Sequence, residues 1–363
     1  MAEPRIVIPV VAGSSPVGHP SCSMAADEKF MREAIRLARK GLGRTRPNPA
    51  VGCVLVKNGR IIARGWHRRA GQPHAEVEAL RSLKKVSSAR GATAYVTLEP
   101  CSTHGRTPPC TRALIEAGVA RVVSGAIDPN PKHRGRGLLL LEKAGLKTHS
   151  GVLAEECAAL NPEFHHFMST GLPWVIAKCG MSLDGRLTRP PGEGPWITSP
   201  ASRADAMKLR AKVDAILVGA ATVRADDPSL TVRGIKGAIQ PWRVIWAPRG
   251  DVPGRCKVLR DRWKERTLVI RSKSLKSALR SLARRGVQSV LVEGGGYTLG
   301  KLFEAQLVCE AVFYIAPLIS GGTVPAVGGR GVGRASEATL LANPQYRRIG
   351  PDVRVSGLVV RGR

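Results

Sequence analysis

His74-Ala75-Glu76, Pro100-Cys101 and Cys110 constrain this chain more than any other feature, because His74, Cys101 and Cys110 can serve one metal only in a fold that brings them to one point. One His and two Cys suit a four-coordinate zinc ion whose fourth position is left to water. A Glu two residues beyond the His, not itself a ligand, is the proton carrier of hydrolytic zinc deaminases. Zinc lowers the pKa of bound water to roughly 7, which supplies a nucleophile at neutral pH. Glu76 can then take a proton from that water, protonate a ring nitrogen and protonate the departing ammonia. The spacing of the thiols is unusual. Deaminases of nucleosides and tRNA carry Pro-Cys-x-x-Cys, whereas eight residues, Ser102-Thr103-His104-Gly105-Arg106-Thr107-Pro108-Pro109, separate Cys101 from Cys110.

Local sequence predicts where these residues sit. His74 follows Gly71-Gln72-Pro73 and opens the apolar pattern Ala75, Val77, Ala79, Leu80, Leu83, a helix start after a proline. Cys110 follows Pro108-Pro109 and opens Ala113, Leu114, Ile115 in the same manner. Both helix N-termini are expected to face the metal, where their partial positive charge favours thiolate. Cys101 comes just after a strand-like run at 94–98. Segments 51–56 and 60–63, joined by Asn58-Gly59, read as a hairpin with a tight turn. Cys22, Cys53, Cys157, Cys179, Cys256 and Cys309 have no metal-like spacing and read as reduced thiols. Eight cysteines in 363 residues are too few for a disulfide scaffold.

The length accommodates two domains with separate cores. We expect them at 24–170 and 171–363, with 1–23 an extension that is disordered or absent from the native product, Met24 being the alternative start. A helix at 153–160 leads to His165 and His166, which read as a solvated interdomain pair because no further ligands stand nearby. Beyond Trp174, apolar runs at 175–177, 215–218, 244–246, 268–270 and 289–292 alternate with helical patterns, as in an α/β sheet. Ligands of such sheets bind at the carboxyl ends of strands. Glu293-Gly294-Gly295-Gly296 follows one strand and precedes a helix at 298–303, so backbone can approach a phosphate there. The GxGxxG fingerprint is missing.

The formal charge of +30 narrows the partners. Lys and Arg outnumber Asp and Glu by 25 to 13 in residues 1–170 and by 32 to 14 in 171–363, so the excess is spread over both halves. A dedicated nucleic-acid arm would concentrate it, and aromatic residues for base stacking make up only 4%. Specific nucleic-acid binding is not expected; small anionic ligands are. The dense basic stretch 272–286 places Leu275, Ala278, Leu279 and Leu282 on one helical face, which predicts a surface helix. No run is long enough to span a membrane, and no membrane partner is expected; a cytoplasmic enzyme is, since zinc thiolates suit a reducing compartment. Oligomeric state is not legible, and a homo-oligomer stays open.

The N-terminal half resembles the deaminase half of the bifunctional riboflavin-biosynthesis family, diaminohydroxyphosphoribosylaminopyrimidine deaminase/5-amino-6-(5-phosphoribosylamino)uracil reductase. The resemblance is carried by 30–38, Arg46-Pro47-Asn48-Pro49-Ala50-Val51-Gly52-Cys53, His74-Ala75-Glu76-Val77, Thr97-Leu98-Glu99-Pro100-Cys101, 104–110, Asp128-Pro129-Asn130-Pro131 and Gly135-Arg136-Gly137. It implies a cytidine-deaminase-like zinc domain, with His74, Cys101 and Cys110 as ligands and Glu76 as catalytic residue. It further implies that Asn48, Arg106 and Thr107 bind a phosphorylated ribosylaminopyrimidine, an Arg and a hydroxyl being good phosphate donors. For Asn48 the plain alternative is a turn residue. The C-terminal half is similar to the reductase half of the same family on 178–185, Trp196-Ile197-Thr198-Ser199, 216–233 and Glu293-Gly294-Gly295. That resemblance implies a dihydrofolate-reductase-like α/β domain in which NADPH reduces the ribosyl group to ribityl. Lys178, Gly194, Arg210, Leu230, Arg233 and Glu293 match its substrate positions. Gly180, Trp196, Thr222, Asp226, Gly295, Gly296, Tyr297, Thr298, Leu299, Gly300 and Lys301 match its nucleotide positions. Trp196 as core and Asp226-Asp227-Pro228 as a turn or cap are the plain alternatives.

Two departures from the family are visible. Thr103 stands where the family usually has the first of two histidines, and Ala247-Pro248 stands where it has Asp and Ser or Thr near the nucleotide. The second departure leaves open a deaminase whose reductase half has lost its chemistry. A basic RNA-binding or RNA-editing protein of deaminase fold is the reading from another class; the insert between the thiols, which resembles a small-phosphate pocket, argues against it.

Overall fold

A computed structural model describes residues 21–104, 108–187, 196–250 and 252–361, with side chains from 24 to 360. The expectation for the extension falls outside the described residues for positions 1–20, as do Arg106, Thr107 and Gly194. In chain order the first half comprises α1 (Ser21–Ala38), β1 (Gly52–Lys57), β2 (Arg60–Trp66), α2 (Ala75–Arg81), β3 (Thr93–Leu98), α3 (Cys110–Glu116), β4 (Arg121–Ala126), α4 (Arg136–Lys143), β5 (Lys147–Ser150), α5 (Ala154–Ala158) and α6 (Pro162–Thr170). The second comprises β6 (Trp174–Ser182), α7 (Pro200–Arg210), β7 (Ala215–Gly219), α8 (Ala220–Asp226), β8 (Trp242–Trp246), α9 (Lys257–Arg260) and β9 (Thr267–Ile270). It continues with α10 (Leu275–Ala283), β10 (Ser289–Val292), α11 (Gly296–Glu304), β11 (Glu310–Ala316), β12 (Thr339–Ile349) and β13 (Asp352–Arg361).

The first half is one five-stranded sheet in the order β2-β1-β3-β4-β5, covered on both faces. Strand β1 runs antiparallel to both β2 and β3, whereas β3, β4 and β5 are parallel. Asn58 and Gly59 both adopt positive φ, the geometry of a two-residue hairpin. Successive β1 residues face opposite layers, as the pleat requires. Val54 and Val56 pack with Met31, Ala34 and Ile35 of α1, and Cys53 and Leu55 pack with Ala75, Ala79 and Leu114 of α2 and α3. A Cβ on Gly65 would collide with the backbone of Ala75 and Ala79. Only glycine lets β2 approach α2 this closely, and that seating fixes the helix start bearing His74 and Glu76.

The second half is an eight-stranded sheet, β12-β13-β11-β6-β10-β7-β8-β9. Strands β11, β6, β10, β7, β8 and β9 are parallel to their neighbours, and the hairpin β12–β13 is added antiparallel to β11. One face packs Val175, Leu217, Val244 and Val290 against α10 and α11. The other packs Ile176, Ile216, Ile245 and Leu291 against α7, α8 and α9. Leu275, Ala278, Leu279 and Leu282 are buried along one side of α10, as the sequence pattern predicts. Among the described residues no helix is long and apolar enough to cross a membrane.

One expectation is corrected. His165 and His166 lie at the junction of the halves but are not solvated: both are half-buried, and burial lowers the pKa of each. The His166 ring stands edge-on to Trp174 at 5.6 Å, with Nε2 3.7 Å from Cys309 Sγ.

Candidate functional site

His74, Cys101 and Cys110 come from three elements and meet at one point. His74 is the residue before α2, Cys101 follows β3 by way of Glu99-Pro100, and Cys110 is the first residue of α3. Their ligand atoms lie within 4.8 Å of one another, the one such group of three found among the described residues. His74 Nδ1 is 3.6 Å from Cys101 Sγ and 3.3 Å from Cys110 Sγ. In a tetrahedral zinc site with ordinary Zn–N and Zn–S bonds the N···S edge is about 3.6 Å. The donors present therefore fit zinc in both type and spacing.

The charge pattern around the sulfurs is asymmetric. Cys101 Sγ accepts the Cys110 backbone N–H at 3.3 Å. Hydrogen bonding from the Cys110 side chain, and then from His74, holds the Cys101 thiol at about 4 against the opposing effect of burial. Hydrogen bonding to Cys101, together with burial, pushes the Cys110 thiol well up. Glu76, in the first turn of α2, is 3% exposed. Burial pushes its carboxyl up to about 7, opposed by His74. A carboxyl so placed can both accept and return a proton near neutrality.

His74, Glu76 and Cys101 line a cavity of about 360 Å³ that also takes in Asn48, His67, Glu99, Asp128, His133 and Phe164. Sequence reasoning singled out Asn48 but missed His67. His67 N bonds to Val51 O, which sets the residue at the end of β2, and its Nδ1 lies 3.0 Å from Pro73 O. Its Nε2 is 3.2 Å from Asn48 Nδ2. Burial lowers the His67 pKa and so favours the neutral ring; the tautomer that donates from Nδ1 to Pro73 O can accept from Asn48 at Nε2. Glu99 was also missed. Its carboxylate accepts the N–H groups of Asp128, Gly135 and Gly137 at 2.8–3.1 Å and so folds the loop after β4 over the cavity. Thr103 lies at the rim, its Oγ1 3.4 Å from His133 Nε2.

In the second half, the expected residues gather at the carboxyl ends of β6, β10 and β7. Glu293 leaves β10 and takes a bidentate pair from Arg210 at 2.7 and 2.9 Å, while Arg210 Nη1 donates to Thr231 O at 2.9 Å. Burial pushes the Glu293 carboxyl up, but Arg210, Lys178 and Arg233 outweigh it and hold the group at about 2. Leu230, adjacent to Thr231, is buried with φ +50°. Thr222 Oγ1 accepts Gly295 N at 3.3 Å, and a Cβ on Gly294 would meet Thr298 at 2.7 Å. Tight backbone at the start of α11 is what close approach of a phosphorylated nucleotide asks for. Gly180 faces Thr198. Trp196 is 52% exposed and stacks on Arg203, so it is not core. Tyr297 is exposed and lies parallel to Trp246 at 6.1 Å, beside the Ala247 departure.

Leu299 is fully buried in the core, Gly300 faces the Gly328 carbonyl, and Lys301 pairs with Glu304 at 2.7 Å. Asp226 ends α8, and burial raises its carboxyl pKa.

Two family models match the chain. Residues 24–126 match the cytidine and deoxycytidylate deaminase zinc-binding region, and residues 173–355 match the RibD C-terminal domain. The riboflavin biosynthesis protein RibD of Escherichia coli (strain K12) is 42% identical, the match covering 90% of this chain and 98% of that protein. Among solved structures, Acinetobacter baumannii RibD superposes with a TM-score of 0.86 at 36% identity, covering 93% of this chain and 100% of the other. A diaminohydroxyphosphoribosylaminopyrimidine deaminase/5-amino-6-(5-phosphoribosylamino)uracil reductase from Thermotoga maritima gives 0.81 at 34% identity, covering 93% and 99%.

Proposed function

This chain belongs to the RibD family of bifunctional riboflavin-biosynthesis deaminase/reductases, and on that premise we propose the substrates, cofactors and residue roles of its two sites. The first, assigned to 24–170, removes the amino group of 2,5-diamino-6-(5-phosphoribosylamino)pyrimidin-4-one by hydrolysis. The second, assigned to 171–363, reduces the ribosyl group of the product to ribityl with NADPH, giving 5-amino-6-(5-phosphoribitylamino)uracil. One observation carries the reading: His74 and Cys101 of a His/Cys/Cys donor set line one cavity with the buried Glu76 and with Asn48.

Zinc in the His74–Cys101–Cys110 shell would supply an activated water at neutral pH. Glu76, buried beside this shell, would carry both protons of the attacking water, the first to the ring nitrogen and the second, from the hydroxyl so added to the ring, to the departing amino group. With one amide N–H given to His67, Asn48 keeps its Oδ1 as an acceptor for a ring N–H or amino group and its second N–H as a donor. Arg106 and Thr107 are assigned to the substrate phosphate.

NADPH, when bound at the start of α11, would supply the hydride. Gly180, Trp196, Thr222, Asp226 and residues 295–301 are assigned to it. Lys178, Gly194, Arg210, Leu230, Arg233 and Glu293 are assigned to substrate; the Arg210–Glu293 pair is spent on itself, which leaves Lys178 and the exposed Arg233 as the cations for a phosphate. A cytoplasmic location belongs to the same reading, since two thiolate ligands and, among the described residues, five further free cysteines suit a reducing compartment.

Incubating the purified protein with the diaminopyrimidine ribosyl phosphate, with and without NADPH, and identifying products by mass tests both halves. Loss of ammonia alone without NADPH, followed by a two-hydrogen gain with it, is the expected result. Deamination with no nucleotide oxidation would reduce the second half to a structural role despite its fold.

A further inference from the structure

We propose that Arg46 is a positioning residue for deamination, holding the Asn48 loop in place by docking it onto the reductase half; the proposal rests on Asn48 being a substrate contact. Asn48 N bonds to Thr45 O at 2.9 Å, closing a turn that presents the Asn48 side chain to the catalytic cavity. Arg46 lies within the same turn but reaches the other sheet. Its Nη2 donates to Ala211 O at 3.0 Å, and its Nε is 3.6 Å from Asp214 Oδ1. The two side chains are 19% and 18% exposed, so the pair is shielded from solvent and from screening by salt.

Asp214 is built to meet it. Its other oxygen, Oδ2, accepts Gln288 N, Ser289 N and Ser289 Oγ, each at 3.0 Å, at the start of β10. Three donors on one oxygen fix the carboxylate and aim Oδ1 at Arg46. Burial lowers the Arg46 pKa, and Asp214 and Glu163 both act to raise it. The downstream end of the loop is secured inside the first half, where Asn161 takes Ala50 N at 2.6 Å and gives to Ala50 O at 2.9 Å. The loop that carries Asn48 is therefore tied at one end to its own half and at the other to the reductase half, while His67 meets the Asn48 amide itself.

The docking point is not an arbitrary patch. Ala211 follows Arg210, whose guanidinium grips Glu293 in the reductase cleft. The helix end that orders one site thus supplies the carbonyl that steadies the other. A planar guanidinium can satisfy a carbonyl and a carboxylate from one fixed fork, whereas a lysine ammonium is a single point charge on a flexible stem. Losing the upstream anchor leaves Thr45 and Ala50 buried and the half folded, but lets Asn48 drift.

The test uses the full chain, with deamination KM and kcat, zinc content and reductase kcat/KM measured for each variant. Arg46→Ala is expected to raise the deamination KM about ten- to a hundredfold, the scale of a displacement near 1 Å. It should leave kcat within about threefold, because binding rather than chemistry is lost, and keep zinc stoichiometric and reduction unchanged. Asp214→Asn, which keeps an oxygen for β10 and turns an amide towards Arg46, is expected to do the same, and the double variant to be no worse than the weaker single. Arg46→Lys should fall between wild type and Arg46→Ala. A raised KM in Asn48→Ala with an unchanged KM in both Arg46→Ala and Asp214→Asn would overturn the buttress. An unchanged KM in Asn48→Ala itself would remove Asn48 as a substrate contact and the buttress with it, so the two failures are told apart.

Discussion

Glu76 is buried and Glu293 nearly so, each at the head of its site, yet the protein drives them to opposite states. Burial raises Glu76 to about 7 with His74 as the counterweight, whereas Arg210, Lys178 and Arg233 overcome burial and hold Glu293 at about 2. A carboxyl near neutrality exchanges protons; one far below it is a fixed anion that orders cations. The first site is thus arranged for proton transfer, and the second for charge placement around a ligand whose chemistry comes from elsewhere.

The largest expected effect follows from removing Glu76, the proposed proton carrier. Glu76→Gln keeps volume and loses the acid/base, so deamination kcat is expected to fall about 10²- to 10⁴-fold. Zinc content, reductase activity and melting temperature should hold, because no ion pair is broken. Measuring ammonia release beside zinc content separates loss of the base from loss of the metal. Undiminished ammonia release in this variant would break the comparison at its first term.

Glu293→Gln should behave in the opposite way. Removing one partner of a buried pair leaves Arg210 without its counter-charge, at a cost of about 3 kcal/mol or more in stability. Reduction is expected to fail while deamination persists. The pH dependence gives a second reading. The folded-state pKa of Glu293 lies below its ordinary value near 4.5, so its stabilisation is fully present above that value and is lost as pH falls towards about 2. Denaturation of wild type and variant over that window should show the gap between them closing. A gap independent of pH would mean that Glu293 acts by packing rather than by charge.

The same contrast explains how much was legible in the sequence. Zinc demands a small set of residue types placed at helix starts and strand ends, so His74, Cys101 and Cys110 announce themselves. Lys178, Arg210 and Glu293 are ordinary residues that only the topology of a parallel sheet brings together; resemblance to the family found them, and patterning could not. His67 was missed because its role arises from the β1–β2 register and a carbonyl at Pro73. Glu99 was missed because it serves backbone N–H groups, which leave no side-chain signature. Five strands of the second sheet were readable as apolar runs, although the edge strand β9 is only half-buried. The hairpin β12–β13 was not: β12 is largely exposed, and its register shifts between Ala342 and Gln345. Arg243, 1% exposed within β8, shows the limit of patterning from another side, because Asp261, Ser229 O, Val258 O and Thr267 take the donors of both its terminal nitrogens.

The smallest expected effect lies at Thr103, where the deaminase site departs from its family. Its hydroxyl is 3.4 Å from His133 Nε2 at the exposed rim, a weak contact that solvent can replace. The corresponding departure in the second half, Ala247, is 3% exposed with its N–H bonded to Ile270 O, so a polar side chain there would have to be accommodated in packed surroundings. No such constraint acts at Thr103. Thr103→His, which restores an imidazole, is therefore expected to leave stability within about 0.5 kcal/mol, as for an ordinary surface substitution. Deamination KM should change by no more than about threefold, since the group it alters is neither a ligand nor buried. Steady-state kinetics and thermal melts of that single variant decide it: a tenfold gain would show that the rim takes a direct part in holding substrate, and would move the first site closer to the second, where placed charge does most of the work.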